Sequence, residues 1–226
     1  MPTVLITGAS RGIGLEFARQ YAAAGWKVLA CCRSPGKAAD LNGVTGDVSV
    51  FALDVDDDGN IAELAQQLKT VPIDVLINNA GVSRPEASTL GQISSDVWLQ
   101  VLRTNTIAPL KMAEAFLPNM EAGTEKKLIA ISSRLGSIAL NEGGRYSYRS
   151  SKAALNSAWK SLAGDTAGKG MICVVFHPGW VQTDMGGKAA PVTPPQSVSG
   201  MMKVIAGLAK KDNGTFRNFD GDTLPW

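Results

Sequence analysis

Short apolar runs rich in β-branched residues alternate with segments of helical periodicity along almost the whole chain, and this alternation limits the possible folds most strongly. Strands are predicted over Val4–Ile6, Lys27–Cys31, Val48–Leu53, Ile73–Ile77, Lys127–Ile131 and Ile172–Phe176, with one more in the tail from Gly214 to Trp226. Helices are predicted over Gly12–Ala24, Gly59–Lys69, Ser95–Met120, Tyr146–Ala167 and Gln196–Ala209. Because the strand segments are continuously apolar, they suit strands buried on both faces. The chain is therefore expected to form an α/β Rossmann fold, a doubly wound parallel sheet of about seven strands with helices on both faces.

Length and composition narrow the classes of function. The chain has 226 residues, 45% hydrophobic and 19% charged, so residues 1–226 are expected to form a single domain with a buried core. The net charge is +2 and no basic block stands out, which argues against nucleic-acid and membrane partners. There is no secretory signal pattern, and the chain has only one His and three Cys, so we expect a cytoplasmic protein with reduced thiols and no metal site.

Ligands of an open parallel sheet bind beyond the carboxyl ends of its strands, so the residues after each strand are the candidate binding residues. The first strand is followed by Thr7-Gly8-Ala9-Ser10-Arg11-Gly12-Ile13-Gly14, which opens the first helix. Its glycines permit a tight turn, and the helix N-terminus offers free N–H groups to a phosphate. This position, directly after the first strand, favours a dinucleotide site over a plain strand-to-helix turn.

Two arginines indicate which dinucleotide binds. In dinucleotide-binding folds an acidic residue after the second strand holds the ribose hydroxyls, whereas an Arg nearby accepts a 2′-phosphate. Here Arg33 follows the second strand without an acidic neighbour, and Arg11 adds a second cation inside the glycine turn. We therefore predict NADP(H) as the cofactor, the alternative being that both arginines are solvated surface charges.

Polar turns after three further strands complete the predicted cofactor site. Asp54-Val55 follows the third strand, where the carboxylate either accepts a hydrogen bond from an adenine amino group or is only a turn residue. Asn78-Asn79-Ala80-Gly81 follows the fourth strand, where the amides can bond neighbouring strand ends and the glycine lets a ribose lie close. After the sixth strand, Thr183 is a candidate for holding a carboxamide, and Trp180 and Met185 either line an apolar pocket or simply pack.

Tyr148 and Lys152 form the candidate acid–base pair. A Tyr four residues before a Lys on a helix places both side chains on one face. A nearby ammonium lowers the pKa of a phenol from its ordinary value of about 10, so the pair is expected to exchange a proton with a carbinol oxygen near neutral pH. The same spacing also fits an ordinary amphipathic helix with a half-buried Tyr.

Polar groups at two other positions accompany this pair. Pro109 lies inside the long predicted helix and cannot donate to the carbonyl of Asn105, which is then free to bind a water reaching toward Lys152. The alternative is a kink without a chemical role. Ser132 and Ser133 follow the fifth strand and are expected to point to opposite faces, so only one of them can bind a substrate oxygen.

Taken in order, these motifs resemble those of the short-chain dehydrogenase/reductase superfamily. They are Thr-Gly-x-x-x-Gly-x-Gly, Asp-Val, Asn-Asn-Ala-Gly, the mid-helix Asn, Ser-Ser-x-x-Gly, Tyr-x-x-x-Lys and Pro-Gly-x-x-x-Thr, and they extend over nearly the whole chain. The segments Ser132–Ile138, Tyr148–Asn156 and Pro178–Gly187 and the ending Asp220–Trp226 are similar to those of the C-factor-like and sniffer-like carbonyl reductases.

The resemblance implies a role for each of these residues. Tyr148 would donate a proton to a carbonyl oxygen, and Lys152 would bind the nicotinamide ribose and lower the pKa of that Tyr. Ser133 would hydrogen-bond the substrate oxygen, and Asn105 would hold a water of the proton relay. The implied catalytic residues are Asn105, Ser133, Tyr148 and Lys152, and the implied cofactor-binding residues are Gly8, Ser10, Arg11, Gly12, Ile13, Gly14, Arg33, Asp54, Val55, Asn79, Ala80, Gly81, Tyr148, Lys152, Pro178, Gly179, Val181 and Thr183. The likeness also suggests a homodimer or homotetramer formed through the two long helices.

The predicted function is NADPH-dependent reduction of a small-molecule ketone, aldehyde or quinone. The alternatives are a reductase with one dedicated substrate and a non-catalytic NADP(H)-binding sensor or signalling protein on the same fold. The four implied catalytic residues are all present, which favours an enzyme because a sensor need not keep them. The substrate pocket is expected to be built by Gly186–Pro195, Arg84–Gly91 and Asn141–Arg145, the last being a slight lengthening relative to the commonest family members.

Overall fold

The computed structural model describes residues 1–84 and 89–226, and it contains one sheet with helices on both faces. The strands are β1 (Thr3–Thr7), β2 (Lys27–Cys32), β3 (Val48–Ala52), β4 (Val75–Asn78), β5 (Lys127–Ile131), β6 (Ile172–His177) and β7 (Thr215–Asn218). The helices are α1 (Gly12–Ala23), α2 (Ala39–Asn42), α3 (Asp58–Gln67), α4 (Ser95–Leu102), α5 (Ala108–Ala122), α6 (Tyr146–Thr166) and α7 (Pro194–Gly207).

All neighbouring strands of the sheet are parallel, in the order β3-β2-β1-β4-β5-β6-β7. The chain first moves outward from β1 to β3 and then crosses back to β4 on the other side of β1. The strand order therefore reverses between β1 and β4, which is the place where doubly wound sheets bind nucleotides. This topology confirms the predicted Rossmann fold.

Alternate residues of each central strand serve two separate apolar cores. Val4 and Ile6 of β1 belong to the core under α1, α2 and α7, whereas Leu5 belongs to the core under α3, α5 and α6. Phe17 of α1 and Trp159 of α6 are fully buried in the first and second core, respectively. Because both faces of the sheet are covered, only the strand ends remain available for polar chemistry.

The two edge strands, β3 and β7, depart from the expected burial on both faces. All residues of β3 but the last are half-buried, and the last is exposed, so the expectation of a fully buried strand is wrong there. The physical reason is the position of β3 at the edge of the sheet, where it has a strand neighbour on one side only. Its five residues still pair in register with β2, from Val28 opposite Val48 to Cys32 opposite Ala52.

The long helix predicted over Ser95–Met120 is divided into two. A π-helical turn over Arg103–Ile107 separates α4 from α5, and the N–H of Ala108 donates to the carbonyl of Arg103, five residues earlier. Pro109 is the second residue of α5, where its missing N–H is tolerated. The disturbance expected from Pro109 thus takes the form of a π turn, a feature found frequently at functional sites.

The structure also shows the state of the cysteines and bears on membrane spans and metal-binding groups. Cys31, Cys32 and Cys173 are buried and unpaired, as expected for reduced thiols. Among residues 1–84 and 89–226, no helix has the length and apolarity needed to cross a bilayer, and no group of side chains is suited to holding a metal ion.

Candidate active site

The site begins at the switch point, where Asn79 ties the end of β4 to the end of β1. The Asn79 side-chain amide donates to the carbonyls of Thr7 and Gly8, at 3.0 Å each. In return, the Thr7 hydroxyl accepts from the backbone N–H groups of Asn79 and Ala80, at 3.1 Å each. The glycine turn and the Asn-Asn-Ala-Gly turn are therefore held together as one rigid unit.

Glycine is required at two positions of this unit. Gly8 has φ +66°, and a Cβ there would lie 2.9 Å from the Cα of Ala80. A Cβ at Gly14 would lie 2.2 Å from the carbonyl oxygen of Gly8 and 2.5 Å from the Asn79 amide nitrogen. Both contacts are too short for any side chain, so these glycines allow α1 to start directly against the strand ends.

A cavity of about 590 Å³ opens over the carboxyl edge of the sheet. Its volume lies within the range of ligand pockets, about 300–1,000 Å³. The predicted residues that line it come from the turns after five of the strands and from α6: Gly8, Ser10, Arg11, Gly12, Ile13, Arg33, Asp54, Val55, Asn79, Ala80, Gly81, Tyr148, Lys152, Pro178 and Thr183. The fold thus brings most of the predicted cofactor and acid–base residues to one cavity.

Five predicted residues do not line the cavity. Gly14 packs against the glycine turn, Gly179 has no room for a Cβ because the Phe219 ring would lie 3.1 Å away, and Val181 is only 4% exposed. Asn105 and Ser133 contact other residues of the site instead.

The two predicted phosphate-binding arginines differ in their surroundings. Arg33 is exposed at the end of β2 and has no ion-pair partner among the described residues. Arg11 instead forms an ion pair with Asp184, at 2.8 Å between Nη1 and Oδ2. Asp54, after β3, accepts a hydrogen bond from the N–H of Asp56 at 3.1 Å, so it stabilises a turn as well as lining the cavity.

The two serines after β5 have different partners. The Ser132 hydroxyl donates to the side-chain oxygen of Asn156 at 2.6 Å. The Ser133 hydroxyl accepts from the N–H of Leu135 at 3.1 Å, and it is near enough to the Tyr148 hydroxyl to lower the pKa of that phenol. Ser132 is thus engaged in the packing of α6, and Ser133 is the serine beside the candidate proton donor.

Lys152 is a buried cation, only 5% exposed. Its ammonium donates to the carbonyl of Ile131 at the end of β5, at 2.8 Å. Burial lowers the pKa of Lys152 from 10.5 to about 8, because the charged form loses its hydration. Gly81 lies close to this ammonium, since a Cβ there would be 3.6 Å from it, and both residues line the cavity.

The pKa of Tyr148 differs from the sequence expectation. Burial raises it above the ordinary value of 10.0, and only the hydrogen bond to Ser133 and the charge of Arg145 act to lower it. The Lys152 ammonium lies 5.9 Å from the centroid of the Tyr148 ring and is hydrogen-bonded elsewhere. The expected lowering of the Tyr148 pKa by Lys152 is therefore wrong for this structure, because desolvation outweighs the nearby charges.

Asn105 is fully buried in the π turn and connects three parts of the site. Its side-chain oxygen accepts from the N–H of Val82 at 2.8 Å, and its amide donates to the carbonyl of Val82 at 2.9 Å. The amide also donates to the hydroxyl of Ser151 at 3.0 Å, and that hydroxyl donates to the carbonyl of Tyr148 at 2.8 Å. Ser151 is not among the site residues predicted from the sequence. Its position three residues after Tyr148, on a neighbouring part of the same helix, is a signal that could have indicated it.

The loops predicted to form the substrate pocket are described in part. Residues 85–88 of the Arg84–Gly91 loop lie outside the described residues. In the Asn141–Arg145 stretch, Gly143, Gly144 and Arg145 have φ values of +89°, +66° and +50° and turn the chain into α6. Met185, next to the Gly186–Pro195 segment, lines the cavity and is 53% exposed.

The fold and the site together define a dinucleotide-binding oxidoreductase, and comparison with known proteins identifies its family. Residues 2–192 match the family model described as short chain dehydrogenase. The chain therefore belongs to the short-chain dehydrogenase family, as the sequence motifs predicted.

Several known proteins are similar to this chain. The C-signal protein of Myxococcus xanthus is 43% identical over 163 residues, which cover 72% of this chain and 98% of that protein. The carbonyl reductase Sniffer of D. melanogaster is 35% identical, with a TM-score of 0.91 and full coverage of both chains. A carbonyl reductase from chicken fatty liver, solved with NADPH bound, is 38% identical, with a TM-score of 0.90 over 100% of this chain and 99% of that one. The sequence prediction of this reductase branch is confirmed.

Proposed function

We propose that this protein is an NADPH-dependent reductase of ketones, aldehydes or quinones, with Tyr148 as the proton donor. The observation that carries the proposal is the position of Tyr148 and Lys152 on the cavity wall, one turn apart on α6, with the Ser133 hydroxyl near enough to Tyr148 to lower its pKa. Two hydroxyls and a buried cation suit a carbonyl oxygen, which gains negative charge as its carbon is reduced.

The cavity fits a nicotinamide dinucleotide. Gly8 and Gly12 have positive φ, which lets the backbone of the turn come close to a pyrophosphate at the start of α1. Arg33 offers to a 2′-phosphate a guanidinium that has no ion-pair partner among residues 1–84 and 89–226. One carboxylate oxygen of Asp56, which also lines the cavity, is buried without a hydrogen-bond partner among the described residues, so it can accept from an adenine amino group.

The chemistry follows from these positions. A bound nicotinamide cofactor supplies the hydride. Tyr148 gives its phenolic proton to the carbonyl oxygen, while the hydroxyl of Ser133 donates a hydrogen bond to the same oxygen. Lys152, with a pKa of about 8, can hold or release a proton near neutral pH and so can return one to the Tyr148 oxygen. We propose that Asn105 holds a water that continues this relay to Lys152, as the resemblance implies.

The direct test is Tyr148→Phe, assayed as NADPH consumption with a panel of dicarbonyls and quinones. Because the phenol is the proposed general acid, turnover should fall by about 10²–10⁴ or more, while the Kd for NADPH stays nearly unchanged. Tyr146→Phe is the matched control, since Tyr146 begins the same helix but lies outside the cavity wall. Substantial turnover in Tyr148→Phe would refute the proton-donor role.

A second test addresses the cofactor. Arg33→Asp replaces the guanidinium of Arg33 by a carboxylate, which repels a 2′-phosphate and can hold ribose hydroxyls. The ratio of kcat/KM for NADPH to that for NADH should therefore fall. An unchanged ratio would show that Arg33 does not bind the phosphate.

One observation favours a second candidate function, a non-catalytic NADP(H) sensor. A relative that shares 43% identity over 163 residues bears the name C-signal. Tight NADPH binding without turnover on any compound of the panel would support the sensor, whereas one compound that surpasses all others by orders of magnitude would indicate a dedicated reductase. A homodimer or homotetramer, a cytoplasmic location and a single domain over residues 1–226 stay predictions.

A further inference from the structure

An ion pair spans the cofactor cavity at its mouth. Arg11 lies on the turn after β1, and Asp184 lies on the segment after β6, 173 residues later in the chain. Nη1 of Arg11 donates to Oδ2 of Asp184 at 2.8 Å, and the two side chains are 75% and 77% exposed. Both residues line the cavity, so the pair joins two of its walls.

The backbone around the pair keeps these two walls close together. A Cβ at Gly12, next to Arg11, would lie 3.3 Å from Cγ2 of Thr183, next to Asp184. The Asp184 segment is itself held by hydrogen bonds from the N–H of Gly186 to the Thr183 hydroxyl and from the N–H of Gly187 to the Thr183 carbonyl. The backbone of the two segments therefore places Asp184 beside Arg11.

The pairing changes what Arg11 can offer to an anion. Of the two arginines expected at the 2′-phosphate, Arg33 is unpaired among the described residues, whereas Arg11 already has a carboxylate partner. A phosphate that binds Arg11 must displace this carboxylate or share the guanidinium with it.

We propose that Asp184 competes with the 2′-phosphate of NADPH for Arg11 and so limits how strongly this protein prefers NADPH over NADH. The inference rests on the proposed function, in which Arg11 and Arg33 hold that phosphate. Exposed ion pairs of this kind change an equilibrium constant by about two- to fivefold, which sets the expected size of the effect.

The test measures Kd values for NADPH and NADH on the wild type, Asp184→Asn, Arg11→Met and the double variant. Asp184→Asn should lower the Kd for NADPH by about two- to fivefold and leave that for NADH nearly unchanged. In the Arg11→Met background the same substitution should leave the Kd for NADPH unchanged, because the guanidinium for which Asp184 and the phosphate compete is absent. Glu121→Gln is the matched control, since it removes the carboxylate of another exposed ion pair, with Lys169, whose residues do not line the cavity.

Some outcomes would overturn this inference while leaving the proposed function intact. Asp184→Asn could tighten the binding of NADH and NADPH equally, or it could still tighten the binding of NADPH in the Arg11→Met background. Either result would indicate general repulsion rather than competition for Arg11. A third such outcome is a higher Kd for NADPH in Arg11→Met together with an unchanged Kd for NADPH in Asp184→Asn. An unchanged NADPH affinity in Arg11→Met would overturn the inference together with the proposed phosphate role of Arg11, while the turnover test on Tyr148 would still stand.

Discussion

Lys152 combines a buried charge with a proposed catalytic role, and replacing it by Met is expected to abolish reduction while making the protein more stable. Its ammonium is 5% exposed and has the carbonyl of Ile131 as its hydrogen-bond acceptor. A charge held in this way weakens the folded state, a cost that proteins tolerate at functional sites.

The size of the effect follows from the pKa. The fall of the Lys152 pKa from 10.5 to about 8 corresponds to a cost of about 3 kcal/mol for keeping the ammonium charged in the folded protein. Lys152→Met removes this cost but leaves the Ile131 carbonyl without its donor, a loss of about 1–2 kcal/mol. The free energy of unfolding at pH 7 should therefore rise by about 1–2 kcal/mol.

The pH dependence gives the sharper measurement. Since the pKa of Lys152 is lower in the folded state than in the unfolded state, the cost is fully present below about pH 8 and disappears as the pH rises toward 10.5. Urea unfolding should show the stability of Lys152→Met relative to the wild type falling by about 2–3 kcal/mol between pH 7 and pH 10, so that the wild type is at least as stable as the variant at pH 10. Titration of the remaining groups is common to both proteins and cancels in the difference.

Lys127→Met is the matched control. Lys127 is equally buried, 4% exposed, but its ammonium is paired with Glu125 and donates to the carbonyl of Ala206. Its replacement should destabilise the protein at pH 7, because a compensated charge is lost together with its bonds. The reasoning is refuted if Lys152→Met is less stable than the wild type at pH 7 and the difference stays constant up to pH 10.

Three other substitutions test separate parts of the site. Ser133→Ala should lower kcat far more than Ser132→Ala, because Ser133 lowers the pKa of Tyr148 whereas the Ser132 hydroxyl is bonded to Asn156. The opposite ranking in steady-state assays would identify Ser132 as the substrate ligand. Arg145→Met should move the alkaline limb of the pH–rate profile to higher pH, since the charge of Arg145 lowers the Tyr148 pKa, and an unmoved limb would contradict this. Gly14→Ala should destabilise the protein by about 1–3 kcal/mol in thermal or urea unfolding, because its Cβ would meet a backbone oxygen; an unchanged stability would argue against that contact.

Much of the fold could be predicted from local pattern. The apolar runs and helical periods located each strand and the long helices within a few residues, and the parallel sheet followed from their alternation. The position of polar residues after the strands then located the site, because parallel strands bring their carboxyl ends to one edge. The edge position of β3 and the π turn before α5 could not be predicted in this way, since they depend on the order of strands and on the packing of neighbouring helices.

Within the site, the sequence by itself determined which residue types gather at the edge of the sheet, because local backbone structure and chain order suffice for that. Only the tertiary structure decided which of these residues pair and how strongly they are desolvated. The Arg11–Asp184 pair joins segments 173 residues apart, and the two adjacent serines acquire different partners on α6. The low pKa of Lys152 and the raised pKa of Tyr148 likewise arise from burial, which no local pattern encodes because it depends on every element packed around the two side chains.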